Sequence, residues 1–402
     1  MRPARPGLVV ALALLAACLV GAAGAHAASR ADTFRATLEP RERALFDAYL
    51  SAQTFHGAAL DAYWGLIEKK KAARKRKKAA GQPLARNDYV LEPPPKYSGP
   101  ELPAELAKRW AAYETEPRPE EPPPEPLPTV ADFLDSARRH YDFEPERIAE
   151  REFKARYARE ALALGLTKDQ VVRVYALETS GLGTADMQAG IHPITRKGKP
   201  ISTALGYAQL LAANSINEIA KSGDGFLARM RALLKRTGEP QRRARLEAKI
   251  ASLKAMVATA RSVPRDWSRH VALASTDKGR GIHAVNLDGD IGPWLQVIKL
   301  DGLRQLAEKE GRGRLAGAEI ELMNLAGPAT GLEMMTQVAR DVPTTNFFAR
   351  GAYARNTIVR GKSAAELLAA LDQRMDENVK NAGAVEFGEV FDEIAREASM
   401  AR

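Results

Sequence analysis

Twelve of the chain's 24 prolines fall between Pro93 and Pro128, in EPPPKYSGPELP and EPRPEEPPPEPLP. Proline fixes its own φ, lacks an amide donor and biases the preceding residue away from helix, so these runs cannot continue a helix or a central strand. They read as an extended, semi-rigid spacer with one short helical island, ELAKRWAAYE, between them. The organisation predicted is a leader over 1–27, a small helical region over 28–90, a proline-rich linker over 91–128 and a larger domain over 129–402.

The leader opens MRPARPG and continues LVVALALLAACLVGAAGAHA, a basic start and an apolar run ending in the small-residue site Ala25-His26-Ala27. This is the pattern of an export signal, which places the mature chain in the periplasm. No other stretch reaches the roughly 18 apolar residues of a membrane-spanning helix. The single cysteine, Cys18, lies inside the leader. Leu15-Ala16-Ala17-Cys18 resembles the lipobox of bacterial lipoproteins, so a lipid anchor is the alternative to soluble release. With no other cysteine, stability has to come from packing.

Lys and Arg number 60 against 50 Asp and Glu, a formal charge of +10. An exported basic protein suits anionic polymers or membrane surfaces. Much of the excess lies in KKKAARKRKK, Lys69 to Lys78, at the end of a helix running from about Pro40 through Tyr49, Tyr63 and Trp64. The run reads as a solvated face, with an anionic envelope polymer or a membrane surface as its partner. Nucleic acid is not expected, because no aromatic-interleaved platform follows.

Beyond residue 129 the pattern is mainly helical. Helices are expected over TVADFLDSARRHYDF, over ERIAEREFKARYAREALALGL, over the segment ending near Glu178, and from Thr203 to about Lys221. FLARMRALLKR and EPQRRARLEAKIASLKAMVATAR read as an antiparallel helix pair, an insertion over about 225–262. Later helices cover about Leu295 to Glu310, Ala316 to Leu325, Gly331 to Val338, Ser363 to Asn381 and Phe387 to Ala398. In MQAGIHPITRKGKPIS, extended residues flank a Lys197-Gly198 turn, which predicts a small β-hairpin. The fold class expected is mainly α, in an α+β arrangement with the hairpin beside a cleft.

One carboxylate stands out. In TKDQVVRVYALETSG, Thr167 and Gln170 form a capping box, and Gly181 and Gly183 end the helix. Val171, Val174, Tyr175 and Glu178 fall at i, i+3, i+4 and i+7, so Glu178 continues the apolar stripe. Desolvation and the negative end of the helix dipole both disfavour its charge and raise its pKa. A carboxylic acid still protonated near neutrality suits general acid catalysis, for example on a glycosidic oxygen.

Three segments resemble motifs of the soluble lytic transglycosylases, a family with a lysozyme-like fold. Glu178-Thr179-Ser180 is similar to its Glu-Ser motif at a helix end. Gly206-Tyr207-Ala208-Gln209 resembles its Gly-Leu-Met-Gln motif, and MNLAGP, Met323 to Pro328, resembles Tyr-Asn-Ala-Gly-Pro. The resemblance covers roughly Thr167 to Gly331, and departs from the family in Thr179, Ala208, Ala212, Met323 and the additional Leu325. It implies Glu178 as the single catalytic acid and base, with Ser180, Tyr207, Gln209, Met323 and Asn324 binding substrate. It also implies glycan strands of peptidoglycan as partner, cleavage between N-acetylmuramic acid and N-acetylglucosamine with 1,6-anhydromuramic ends, and no cofactor or metal.

Two alternatives stand beside it. A hydrolytic muramidase would need a second acid facing Glu178, from among Asp186, Asp288 and Asp290. A non-catalytic glycan-binding envelope protein of lysozyme-like fold would explain the drift in the second and third motifs. NLDGDIGPW fails as a calcium loop, with Ile291 and Val297 where glycine and glutamate are needed. The histidines His56, His140, His192, His270 and His283 are too scattered for a zinc motif, and no nucleophile elbow or phosphate loop occurs.

Overall fold

The computed structural model describes residues 30–116 and 126–400. The expected leader over 1–27 and the lipobox cysteine Cys18 lie outside them. Among the described residues no helix is long and apolar enough to cross a membrane. The chain is mainly α-helical: α1 covers residues 30–36. There follow α2 (Pro40–Ala79), α3 (Ala104–Thr115), α4 (Val130–Tyr141), α5 (Glu150–Ala163), α6 (Lys168–Thr179), α7 (Ala212–Arg236), α8 (Pro240–Arg261) and α9 (Trp267–Ala274). The remainder are α10 (Asp277–His283), α11 (Gly292–Lys309), α12 (Gly317–Ala326), α13 (Pro328–Met334), α14 (Arg350–Arg355), α15 (Ala364–Asn378) and α16 (Ala382–Met400).

Among the described residues, 30–76 and 92–116 belong to one compact unit, and 77–91 and 126–400 to a second. The segment expected as a spacer is therefore folded in its first part. Leu106 and Trp110, spaced i and i+4 on α3, pack with Phe34, Leu38 and Phe46 in an aromatic core. The prolines delimit α3, and its apolar pair supplies the packing that proline composition conceals. Residues 77–90, expected as part of the N-terminal region, belong instead with Leu91 to the larger unit. There Val90 donates to Asn346 Oδ1 and accepts from its amide, and Lys77 pairs with Asp88. Lys78 pairs with Glu333, so both lysines at the end of the basic run have partners; Lys69, Lys71 and Lys75 are exposed, with Lys71 3.9 Å from Glu68.

The larger unit holds two hydrophobic clusters. One gathers side chains of α5, α6, α12, α15 and α16, and the other those of α4, α7, α8 and α10. Helix α11 feeds both, with Val297, Leu300 and Leu303 in the first and Leu295 in the second.

The segment between α6 and α7 departs from expectation. The hairpin region doubles back through isolated bridges, Ile191 with Gly198 and Gln188 with Leu205, and no strand forms among the described residues. Helix α7 starts at Ala212, not Thr203, and runs to Arg236, not Lys221. Residues 205–210 form a tight turn instead, with Gly206 at φ 75° and Gln209 at φ 40°. Gln209 closes the turn by donating its amide to the carbonyls of Gly206 and Met187. At the other end the helix passes through Gly223, because this glycine serves close packing and not termination: a Cβ there would lie 2.6 Å from Val257. The helix pair expected over 225–262 is thus α7 and α8, and it begins in mid-helix.

Gly206 is needed twice, for its positive φ and because a Cβ would lie 2.5 Å from Gln296 Nε2. Gln296 Oε1 in turn accepts from the Ala208 amide. Gly206→Ala is expected to lower stability by about 1–3 kcal/mol, read as a reduced urea midpoint; an unchanged midpoint would show that the turn is not constrained.

Candidate active site

Helix α6 begins at the capping box, with Gln170 N–H donating to Thr167 Oγ1 and Thr167 N–H to Gln170 Oε1. Its stripe of Val171, Val174 and Tyr175 enters the core, and the helix ends at Ser180 with φ 53°. Glu178, half-buried in the last turn, lines a cavity of about 720 Å³. The same cavity is lined by Gln209, by Met323, Asn324 and Glu321 of α12, and by Lys299 and Leu303 of α11.

Around Glu178 the contacts are specific. Asn324 Nδ2 donates to Glu178 Oε1 at 2.9 Å and lies 3.2 and 3.3 Å from the two Glu321 oxygens. Glu178 and Glu321 are themselves hydrogen-bonded, carboxyl to carboxyl. Such a bond requires one of the two to carry a proton.

Burial pushes the Glu178 carboxyl up to about 7, against the opposing pull of Lys299 and of its hydrogen bonds with Glu321 and Asn324. Burial and the charge of Glu178 hold Glu321 well above the usual carboxylate range. Glu321 therefore keeps its proton and donates it to Glu178. Burial lowers the Lys299 ammonium, while Glu178, Glu321 and Glu218 favour its charge.

The other residues singled out in the sequence are placed unequally. Gln209 and Met323 reach the cavity, although the amide of Gln209 is spent on backbone carbonyls. Ser180 caps α6 on the exposed side and is not in the lining; its carbonyl accepts from Asn381. Tyr207 is 0% exposed and is core, not a sugar platform. Its ring packs against Phe153, Tyr157, Tyr175 and Phe387, and its hydroxyl donates to Glu150 Oε2 at 2.6 Å.

The three aspartates considered as a second acid are held elsewhere. Burial raises Asp186, but Thr184, Arg147 and Arg196 outweigh it and hold the carboxyl at about 2. Asp288 and Asp290 are buried with Lys249, whose Nζ lies 2.8 Å from Asp288 Oδ2 and 2.5 Å from Asp290 Oδ2. Arg242 and Arg156 complete that cluster on Asp290, so NLDGD folds around a lysine.

His283, at 0% exposure, meets Ser215 Oγ through Nδ1 and the Thr203 carbonyl through Nε2, a buried structural network. Among the described residues no group of three His, Cys, Asp or Glu side chains is placed to hold a metal ion.

Glu321 and Lys299 escaped the sequence reading, although a signal for each was present. Glu321 is three residues before Asn324 in the apolar helix AEIELMNLA, on the same face. Lys299 falls on the stripe Leu295, Lys299, Leu303, Leu306. No protein-family model matches the chain, and neither the curated proteins nor the solved structures yield a match.

Glu178 binds its proton more tightly in the folded chain than in the unfolded one. Its contribution to stability is fully present below about 4.5 and is lost as pH rises through about 7. Glu178→Gln, which cannot titrate, should therefore gain stability relative to the parent between pH 5 and pH 8, measured by thermal denaturation. A difference independent of pH would mean that the carboxyl is not shifted.

Proposed function

We propose that the protein is a peptidoglycan lytic transglycosylase with Glu178 as its acid and base, in an α+β lysozyme-like arrangement whose small β element is the bridged turn region of 188–210. The observation that carries this reading is the Glu178, Glu321 and Asn324 constellation in the cavity, which joins the first and third motif segments.

The chemistry follows from the proton positions. Protonated Glu178 gives its proton to the glycosidic oxygen between N-acetylmuramic acid and N-acetylglucosamine as that bond breaks. Positive charge develops at the anomeric carbon, stabilised by the substrate's own groups. The carboxylate left on Glu178 is stabilised by Lys299, by the Asn324 amide and by the Glu321 proton. It then takes the proton of the sugar's 6-hydroxyl, whose oxygen attacks the anomeric carbon and closes the 1,6-anhydro ring. No water is consumed. A group titrating near neutrality is suited to both halves of this cycle.

The hydrolytic reading is disfavoured by the placement of the second carboxyl. A glycosidase that inverts needs room for water between its two carboxyls, and one that retains needs the second to reach the sugar. Glu321 instead is hydrogen-bonded to Glu178, and its proton supports that residue. The non-catalytic reading does not call for a buried acid held at the edge of neutrality.

Digestion of purified peptidoglycan followed by mass spectrometry of the fragments tests the proposal. The parent protein should release anhydromuramic ends, and Glu178→Gln none. Reducing ends, or no release by the parent, would overturn it. Lys299→Met removes the cation that lowers Glu178, so the alkaline limb of the pH–rate profile should move to higher pH. An unmoved limb would mean that Glu178 is not the titrating acid.

A further inference from the structure

Helix α2 is apolar on two opposite sides. Phe46 and Trp64 stand nine residues before and nine after Phe55, so at about 100° per residue both point away from it. Both are buried, whereas Phe55 is 80% exposed, more than any other large apolar side chain among the described residues. On the side of Phe55, steps of four or seven residues reach Ala48, Ala62 and Leu66, all exposed, with Leu66 at 44%. Single exposed apolar residues are ordinary, but a phenylalanine and a leucine in line on one helix form a patch.

The same line carries charge of one sign at both ends. Arg41 begins it, and Lys69 and Arg76 continue it beyond Leu66. All three are exposed and form no ion pair or hydrogen bond among the described residues. The four acids of the helix, Glu42, Asp47, Asp61 and Glu68, lie about 80° or more around the helix from Phe55. Two of them are engaged already, Asp47 by Arg35 and Glu42 by Arg109. The face is therefore apolar in its middle, cationic at its ends and free of carboxylates.

We infer that this face of α2 docks on the surface of an anionic lipid bilayer. Phe55 and Leu66 enter the boundary between headgroups and acyl chains, and Arg41, Lys69 and Arg76 reach lipid phosphates on their long stems. A second copy of the same face is opposed by its own charge. Parallel pairing sets Lys69 on Lys69 and Arg76 on Arg76, and antiparallel pairing about the middle of the face sets Arg41 on Arg76. A soluble anionic polymer would engage the cations and leave Phe55 in water. A negatively charged surface with an apolar layer beneath it satisfies both parts of the face. The inference stands apart from the chemistry of Glu178.

The test titrates residues 28–402, which retain every described element, with vesicles of phosphatidylcholine alone and of phosphatidylcholine mixed with phosphatidylglycerol. The readout is the lipid concentration that sediments half of the protein. Binding should require phosphatidylglycerol and be reversed by high salt. Phe55→Ser with Leu66→Ser should weaken it by about tenfold or more. Lys69→Gln with Arg76→Gln should weaken it by about fivefold for each charge removed. In a separate variant, Phe55→Trp, the indole emission should move to shorter wavelength when the anionic vesicles are added.

All four side chains are exposed, and an unchanged melting temperature verifies that each variant is folded. No binding to the anionic vesicles, equal binding to the neutral ones, or an unmoved Phe55→Trp emission would overturn the inference. Binding that depends on the cations but survives Phe55→Ser with Leu66→Ser would also overturn it, and would make the face a site for an anionic polymer. A dimer seen by light scattering and broken by Phe55→Ser would assign the face to a second copy instead.

Discussion

The proton shared between Glu178 and Glu321 is the contact on which the site depends. It joins the last turn of α6 to the middle of α12, two helices that also meet through apolar side chains of one hydrophobic cluster, through the Asn324 amide on Glu178 and through the Gly317 amide on Asp169. Two carboxylates held together in a half-buried cavity cannot both ionise, so the pair retains a proton that each alone would lose. Asn324 and Lys299 bear on both members of the pair. Both favour charge on either carboxyl, and it is burial together with the charge of Glu178 that leaves Glu321 as the protonated donor.

The remainder of the larger unit keeps this pair in place. Helix α11 contributes to both hydrophobic clusters and carries Lys299 into the cavity. Upstream of it, Asp288 accepts from the Glu146 amide and from Asp290 and Ile291, with Lys249 against its carboxylate. Buried ion pairs of this kind add little net stability, but removing one partner leaves an uncompensated charge, about 3–5 kcal/mol. The cluster thus fixes the start of α11, and through it the position of Lys299.

Much of this was legible in the sequence where local rules govern. The Thr167 and Gln170 box, the stripe carrying Glu178 inward and the later helices α11, α12, α15 and α16 follow from periodicity and capping, with ends displaced by a few residues. What was not legible depended on partners distant in sequence. Tyr207 sits in a motif-like segment, yet four aromatic rings from α5, α6 and α16 and the Glu150 carboxylate draw it into the core. The end expected near Lys221 does not occur because Gly223 and Gly225 lie against Val257 and Trp294 on other helices. The proline runs hid Leu106 and Trp110, and the pairing of Glu178 with Glu321 spans 143 residues, beyond any periodic signal.

Carbon-13 NMR titration of the glutamate carboxyls, with Glu178 assigned by its loss in Glu178→Gln, reads the protonation of this pair residue by residue. The Glu178 midpoint should lie near 7, with Glu321 still protonated through that transition. A Glu178 midpoint near 4.5, the ordinary value for a glutamate, would contradict it.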